Sequence, residues 1–166
     1  MISAFSSVLT VVVLLITLGQ ATAFLPHLIS TKQSSNLAMG FFDDLKQKIV
    51  AKSAGDYDVP AVSAKLDSIV KSSADGVVMM TFLTCPYCVK AREVLNANNI
   101  PFEDIILEDL ENGALKGPLR AEMGKRYQQT SVPAIFLKEE FIGGANNGGK
   151  GGLIPLLATG ELQKML

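Results

Sequence analysis

The chain of 166 residues has no tryptophan, a single histidine and only two cysteines. Zinc sites use about four ligands, chiefly cysteine and histidine, so these three side chains cannot complete one. The histidine, His27, lies far upstream of both cysteines, in a segment with the composition of a removable leader. A nucleophilic hydrolase that pairs cysteine with histidine is therefore excluded, and we expect no bound metal.

Neither sign of charge predominates, since 15 lysines and arginines stand against 16 aspartates and glutamates. The basic residues form no stripe and do not alternate with aromatic residues, so nucleic acid is not an expected partner. An apolar stretch at residues 8–18 is too short to span a bilayer, and we expect no stable membrane insertion of the mature protein. The length fits one domain of about 100 residues with an N-terminal extension.

The two cysteines, Cys85 and Cys88, are separated by Pro86 and Tyr87 where an apolar run gives way to a helical pattern. Residues 77–82 predict a buried strand, and Pro86 favours the first turn of a helix. Cys85 therefore lies at a helix N-terminus, where free backbone N–H groups and the helix dipole stabilise a thiolate. We interpret Cys85 as the nucleophile.

Cys88 lies one turn further on and shares a helical face with Ala91 and Leu95. We expect it to point inward and still reach Cys85, which makes it the expected resolving thiol. A structural disulfide between the two would add little stability, because the stabilisation grows with loop length. A CxxC motif beside a strand–helix unit is typical of a thioredoxin-like redox site.

Two downstream segments extend this pattern. Residues 130–133, Thr-Ser-Val-Pro, precede a strand at 134–137, and residues 141–144, Phe-Ile-Gly-Gly, follow a short reversal. Together with the CPYC motif they resemble a dithiol glutaredoxin over residues 60–166. Strands that alternate with helices and end in an antiparallel hairpin predict the matching α/β fold: a thioredoxin-like, mixed four-stranded sheet flanked by helices.

The resemblance implies a glutathione site made of Tyr87, Arg126, Gln129, Val132, Pro133, Gly143, Gly144, Asn146 and Asn147. In the family the proline is cis, which leaves the backbone of Val132 free to pair with the cysteine of glutathione. The double glycine lets the backbone approach the ligand, and a helix start near Asn146 and Asn147 receives the γ-glutamyl carboxylate. Arg126 and Gln129 match positions that grip the glycine end.

The chain departs from the family pattern in four places. Phe82 stands where glutaredoxins usually carry a cation that binds a glutathione carboxylate and favours the thiolate. Asn147 replaces a common aspartate. The reversal at residues 138–140 lacks its usual glycine, so we expect a strained turn or one of another turn type. The glycine-rich residues 148–152 predict an irregular segment instead of a longer helix.

The expected function is that of a monomeric, glutathione-dependent thiol-disulfide oxidoreductase. Its partners would be glutathione, as co-substrate, and proteins that carry a glutathione mixed disulfide or a disulfide. The alternative is a glutaredoxin that holds a [2Fe–2S] cluster between two protomers through the nucleophilic cysteine and glutathione. Pro86 stiffens the turn and resembles members that bind no cluster.

The first 40 residues resemble a two-part targeting leader. The apolar stretch at 8–18 and the small residues Ala21-Thr22-Ala23 predict a signal peptide over residues 1–23. Residues 24–40 contain no acid and several hydroxyl side chains, as transit peptides do. The junction at Phe24 resembles presequences of algae with secondary plastids, which implies a plastid stroma; the alternative is the secretory pathway, whose lumen is oxidising.

Between the leader and the domain at 60–166, residues 41–59 form an extension. Apolar residues at helical spacing, with two acids in the first turn, predict a short amphipathic helix near its start. Residues 55–60 are interpreted as a linker.

Overall fold

Strand β1 (Val77–Thr81) is buried along its whole length, because helices cover both faces of the sheet to which it belongs. A computed structural model describes residues 44–166, which fall within one compact unit. The helices are α1 (residues 44–54), α2 (Val59–Ser72), α3 (Pro86–Ala97), α4 (Lys116–Tyr127), α5 (Leu153–Ala158) and α6 (Glu161–Met165). The other strands are β2 (Phe102–Ile106), β3 (Ala134–Leu137) and β4 (Glu140–Gly143), and a 3₁₀ turn covers Leu110–Gly113.

The four strands form one mixed sheet in the order β2-β1-β3-β4. β1 pairs in parallel with β2, with Val77 opposite Phe102, and antiparallel with β3, with Val77 opposite Leu137. β3 and β4 form an antiparallel hairpin. The expected thioredoxin-like α/β fold is therefore confirmed.

Alternation along β1 and β3 divides the core into two layers. Val77, Met79 and Ile135 face α3, α5 and α6, in a cluster with Leu95 and Leu153. The other layer packs against α2 and α4, and its buried members are Val62, Leu66, Ile69, Val78, Met80, Leu107, Leu119, Met123, Ala134 and Phe136. This two-sided burial holds the C-terminal end of β1, and hence the start of α3, in a fixed place.

The N-terminal extension contains a helix, as the sequence predicts, followed by a short non-helical stretch at residues 55–58. Residues 44–54 form α1, whose Val50 is buried, and Asp58 caps α2 by accepting a hydrogen bond from the N–H of Ala61 at 3.1 Å. The predicted signal and transit segments, residues 1–23 and 24–40, lie outside the described residues. None of the helices in residues 44–166 combines the length and the apolar character that crossing a bilayer requires.

Candidate active site

Cys85 is the N-cap of α3, with Pro86 in the first helical turn, as the sequence predicts. Its Sγ accepts a hydrogen bond from the backbone N–H of Cys88 at 3.3 Å. The same sulfur lies 3.6 Å from the carbonyl oxygen of Val132, to which the thiol can donate. Cys85 is partly exposed. Its sulfur therefore lies at a helix N-terminus, next to the loop before β3, and is open to solvent.

Cys88 is completely buried, with 0% of its surface exposed, which confirms that it points inward. Burial, followed by the hydrogen bond with Cys85, raises the pKa of the Cys88 thiol to about 12. Both cysteines are free thiols. At neutral pH Cys88 is therefore a protonated thiol one helical turn behind Cys85.

The loop that faces Cys85 carries a cis peptide bond between Val132 and Pro133. Gln129 braces this loop, because its side-chain amide donates to the carbonyl of Pro133 at 3.0 Å and to that of Ser131 at 3.3 Å. Gln129 thus lies at the predicted site, and its amide nitrogen is already bonded to the loop. A ligand in the groove would therefore contact Gln129 through atoms other than its amide nitrogen.

A groove of about 300 Å³ lies beside the loop. It is lined by Tyr87, Gln129, Ser131, Val132, Pro133, Gly144, Ala145, Asn146 and Asn147. Tyr87 is 60% exposed and forms one side. Most of the predicted glutathione residues therefore meet in one cavity; Ser131 and Ala145 were not predicted, because nothing in their side chains marks them.

Gly143 does not line the groove; it lets the chain after β4 fold back closely. Its φ of 117° is one that side chains rarely adopt, and an added Cβ would lie 2.6 Å from the carbonyl oxygen of Asn147. The N–H of Gly144 donates to that same oxygen at 2.7 Å. Gly143 therefore allows two backbone segments of the protein to pack closely, and Gly144 borders the groove.

The prediction of a helix start near Asn146 and Asn147 is wrong. These residues lie in a series of bends, and the next helix begins at Leu153. The expected irregular segment at 148–152 is present: the four glycines within it all have positive φ, and the N–H of Gly152 reaches back to the carbonyl of Ile142 at 3.0 Å. Any anion at Asn146 would meet loop N–H groups and amide side chains without a helix dipole.

Arg126 does not join the groove. Its guanidinium pairs with Asp67 and bonds Ser63, both on α2, which raises the pKa of Arg126 and lowers that of Asp67. Arg126 is therefore not among the residues that line the groove, and its predicted contact with the glycine end of glutathione stays a prediction.

Two cations of α4 approach the position that Phe82 occupies. Lys116 Nζ lies 4.3 Å from the centre of the Phe82 ring and pairs with Glu108 at 3.2 Å. The guanidinium carbon of Arg120 lies 5.4 Å from the same ring. Two positive charges of α4 therefore lie close to the Phe82 ring, a contact that the sequence analysis missed.

Comparison with known proteins gives a consistent result. A family model described as Glutaredoxin matches residues 77–142. A protein named Glutaredoxin from Pseudomonas aeruginosa is 32% identical over 90 residues, which cover 54% of this chain and 94% of that protein. Glutaredoxin 3 of Escherichia coli K12 is 36% identical over 85 residues, 49% of this chain and 95% of that protein.

Among solved structures, the buckwheat glutaredoxin–glutathione complex has the same fold, with a TM-score of 0.56 at 20% identity. The match covers 65% of this chain and 89% of the buckwheat chain.

Proposed function

The chain belongs to the glutaredoxin family, and on that premise we propose that it is a glutathione-dependent reductase of protein–glutathione mixed disulfides and protein disulfides. The observation that carries the proposal is the geometry of Cys85. Its sulfur lies at the N-terminus of α3, 3.6 Å from the Val132 carbonyl that borders the groove, with the buried Cys88 thiol one turn behind. One accessible nucleophile and one protected thiol are what a two-thiol exchange site requires.

The monothiol route uses Cys85 alone. The Cys85 thiolate attacks the glutathione sulfur of a protein–glutathione disulfide, the S–S bond breaks, and the protein leaves as a thiolate that takes up a proton. Cys85 is then joined to glutathione. A free glutathione thiolate then attacks the glutathione sulfur of that mixed disulfide, which forms oxidised glutathione and returns the Cys85 thiolate. Each turnover therefore consumes one free glutathione molecule, and the other half of the oxidised glutathione comes from the substrate.

The dithiol route needs Cys88. When the substrate is a protein disulfide, Cys85 forms a mixed disulfide with one of its sulfurs and releases the other as a thiol. Cys88 then loses its proton and attacks the Cys85 sulfur, which frees the reduced protein and closes a Cys85–Cys88 disulfide. Two glutathione molecules reduce that disulfide in the same manner. Burial raises the pKa of Cys88 to about 12, so removing its proton at neutral pH costs free energy, and this cost opposes the step.

The groove supports glutathione as the co-substrate. Val132, ahead of Pro133, lines the groove, and we assign its backbone to pairing with the glutathione cysteine; Tyr87 lines the same groove. Gly144, Asn146 and Asn147 form the end that we assign to the γ-glutamyl group. The buckwheat glutaredoxin, which shares this fold, forms a complex with glutathione, and this supports glutathione as the ligand of the groove.

The test is a coupled assay with a small glutathionylated disulfide, glutathione, glutathione reductase and NADPH. We expect turnover that depends on glutathione and on Cys85, and no comparable turnover when thioredoxin reductase replaces glutathione and its reductase. Turnover driven by thioredoxin reductase alone would contradict the proposal. The visible spectrum of freshly purified protein tests the alternative, because a [2Fe–2S] cluster absorbs visible light and the proposed thiol enzyme does not.

A further inference from the structure

The loop after β4 contains an Asn-Gly dipeptide, Asn147-Gly148, and its asparagine lines the groove. An asparagine followed by glycine is especially prone to deamidation, because glycine has no side chain that hinders attack of its backbone nitrogen on the asparagine amide. Asn147 is exposed and lies in a series of bends between β4 and α5. The chain therefore places a chemically labile amide in the wall of its ligand-binding cavity.

Neither of the two reacting groups is held by a hydrogen bond. Within residues 44–166, the side-chain amide of Asn147 bonds no other group, and the N–H of Gly148 donates to none. The backbone oxygen of Asn147, by contrast, accepts a hydrogen bond from the N–H of Gly144 at 2.7 Å. The backbone contact thus holds the loop, while the amide of Asn147 and the nitrogen of Gly148 are free to react with each other.

The loop requires glycine at residue 148 but not asparagine at residue 147. Gly148 has a φ of 80°, and an added Cβ would overlap the Oε1 of Gln129, so a larger residue does not fit there. The side chain of Asn147 makes no contact of this kind. Asparagine can therefore become aspartate without the loss of a hydrogen bond in the described part of the chain.

A carboxylate at residue 147 would change the charge of the groove. Among the described residues, the lining of the groove contains no lysine, arginine, aspartate or glutamate. Asn147 also borders a neighbouring cavity, whose lining contains Lys46 and Arg120 and no acid, so the new carboxylate would meet no like charge. The end of the groove at Gly144 and Asn146 is the one assigned to the γ-glutamyl group, which carries an ammonium. An ammonium bonds a carboxylate more strongly than it bonds a neutral amide.

We propose that Asn147 is a deamidation site, and that its conversion to aspartate strengthens the binding of a ligand ammonium in the groove. The inference rests on the proposed function, because the ammonium belongs to the glutathione group of the substrate. The protein would thus acquire a groove carboxylate after synthesis, without an enzyme and without reversal.

The reaction needs only water. The backbone nitrogen of Gly148 attacks the Cγ carbon of Asn147, the Cγ–Nδ2 bond breaks, and ammonia leaves with the proton that Gly148 has lost. Water then opens the resulting cyclic imide. Opening at Cγ gives aspartate; opening at the backbone carbonyl of residue 147 gives isoaspartate, which lengthens the main chain and displaces the carbonyl that Gly144 bonds. Aspartate should therefore strengthen binding, whereas isoaspartate should distort the loop.

The first test follows the modification itself. The folded protein is incubated at mildly alkaline pH for days, and peptide mapping by mass spectrometry measures the fraction of Asn147 that has become aspartate or isoaspartate. A synthetic peptide of residues 141–152 gives the rate in the absence of the fold. We expect aspartate to accumulate at residue 147 in the folded protein. Retention of the amide in the protein while the peptide loses it would overturn the proposal, whatever the activity of the protein.

The second test measures the effect of the new carboxylate with the Asn147→Asp variant. The substrates are mixed disulfides of a chromogenic thiol with glutathione and with N-acetylglutathione, which lacks the ammonium. Release of the chromogenic thiol is followed directly, with glutathione as the electron donor. Asn147→Asp should raise kcat/KM for the glutathione substrate about threefold, as expected of a partly exposed ion pair, and leave kcat/KM for the acetylated substrate unchanged.

Asn112→Asp is the matched control. Asn112 is also exposed and followed by glycine, but it lies in the 3₁₀ turn and does not line the groove. Its kcat/KM for both substrates should equal that of the unmodified protein. The proposal is overturned if Asn147→Asp gives no gain, if it gives the same gain with the acetylated substrate, or if Asn112→Asp gives an equal gain. Failure of the unmodified protein to act on the glutathione substrate would instead contradict the proposed function.

Discussion

At the scale of residues, burial and the pKa of the thiol distinguish Cys88 from Cys85. Cys88 has no exposed surface, and its pKa of about 12 lies far above its ordinary value of 9.0 because burial disfavours the thiolate and Cys85 bonds the protonated form. Cys85 is partly exposed, and its sulfur lies 3.6 Å from the carbonyl oxygen of Val132, a residue that lines the groove. The two thiols are therefore differentiated by position along one helical turn, with no help from histidine.

The raised pKa of Cys88 predicts how stability depends on pH. Between pH 9 and 12 the unfolded chain releases the Cys88 proton while the folded chain keeps it, so the reduced protein should lose stability as pH rises. The slope from this one group is at most about 1.4 kcal/mol per pH unit. Urea unfolding of reduced protein at pH 8 to 11 measures it.

Cys88→Ala serves as the reference in that series, because other groups also titrate above pH 9. The free energy of unfolding of the variant should fall less steeply with pH than that of the unmodified protein. Parallel curves would mean that burial does not hold the Cys88 proton.

The sequence predicts the positions of the cysteines well because both depend on local structure, a cap and one helical turn. It cannot predict Arg126 or Phe82 in the same way. The partner of Arg126, Asp67, lies on another helix, and the cations near Phe82 belong to α4. Which face of α4 meets α2 depends on tertiary packing, which motif matching does not include.

At the scale of elements, the turn between β3 and β4 is strained. Lys138 and Glu139 have φ values of 50° and 63°, in the left-handed region that side chains disfavour. The N–H of Glu139 donates to Ser73 at 2.9 Å, and Lys138 Nζ donates to the carbonyl of Leu166 at 2.7 Å. These bonds hold a turn that glycine would adopt freely, which confirms the strain expected from the missing glycine.

Glu139→Gly should therefore stabilise the protein, by about 0.5–1 kcal/mol, because the strain at this position exceeds the entropy that glycine adds to the unfolded chain. The backbone N–H that bonds Ser73 is kept. Thermal unfolding followed by circular dichroism should show a midpoint a few degrees higher.

Glu140→Gly is the matched comparison, since it makes the same change one residue later, inside β4. It should lower the midpoint, because glycine weakens a strand and the ion pair with Lys150 is lost. A destabilising effect of Glu139→Gly of similar size would contradict the assignment of strain to the turn.

The segment after β4 shows what composition can and cannot predict about an element. The glycines at 148–152 indicate correctly that no helix forms there. Composition does not show why the chain bends: a Cβ at Gly149 would lie 2.6 Å from the backbone nitrogen of Gly143, so these residues pack directly on β4. Such contacts join residues whose spacing in the sequence follows neither the helical nor the strand period, so a pattern search does not find them.

At the scale of the whole molecule, the sheet follows from patterns that the sequence contains. β1 is a continuous apolar run because both of its faces are covered, and β3 has the same character. The order of strands is fixed by one strand–helix–strand unit followed by a hairpin. The packing of α1 on α4 is not predictable in this way. It depends on Gly117 and Gly124 of α4, which lie close to Ala54 and Gln47 of α1 and which no helical pattern singles out.

For the leader, we propose import into the plastid stroma of an alga with a secondary plastid. Support comes from the apolar stretch, the small residues before Phe24 and the acid-free segment that follows. A fusion of residues 1–45 to a fluorescent protein should reach the stroma of such an alga, and Phe24→Ala should divert it elsewhere. Secretion of the unmodified fusion, or stromal import that ignores Phe24→Ala, would contradict the proposal.

The central claim, that Cys85 carries both reactions and Cys88 only one, is tested most directly by two variants and two substrates. Cys85→Ser and Cys88→Ser are assayed with a protein–glutathione mixed disulfide and with a protein disulfide, glutathione being the electron donor in each case. Cys85→Ser should lose both activities, while Cys88→Ser should keep removal of glutathione and lose most reduction of the protein disulfide. Equal losses in the two variants, or full protein-disulfide reduction by Cys88→Ser, would contradict the account.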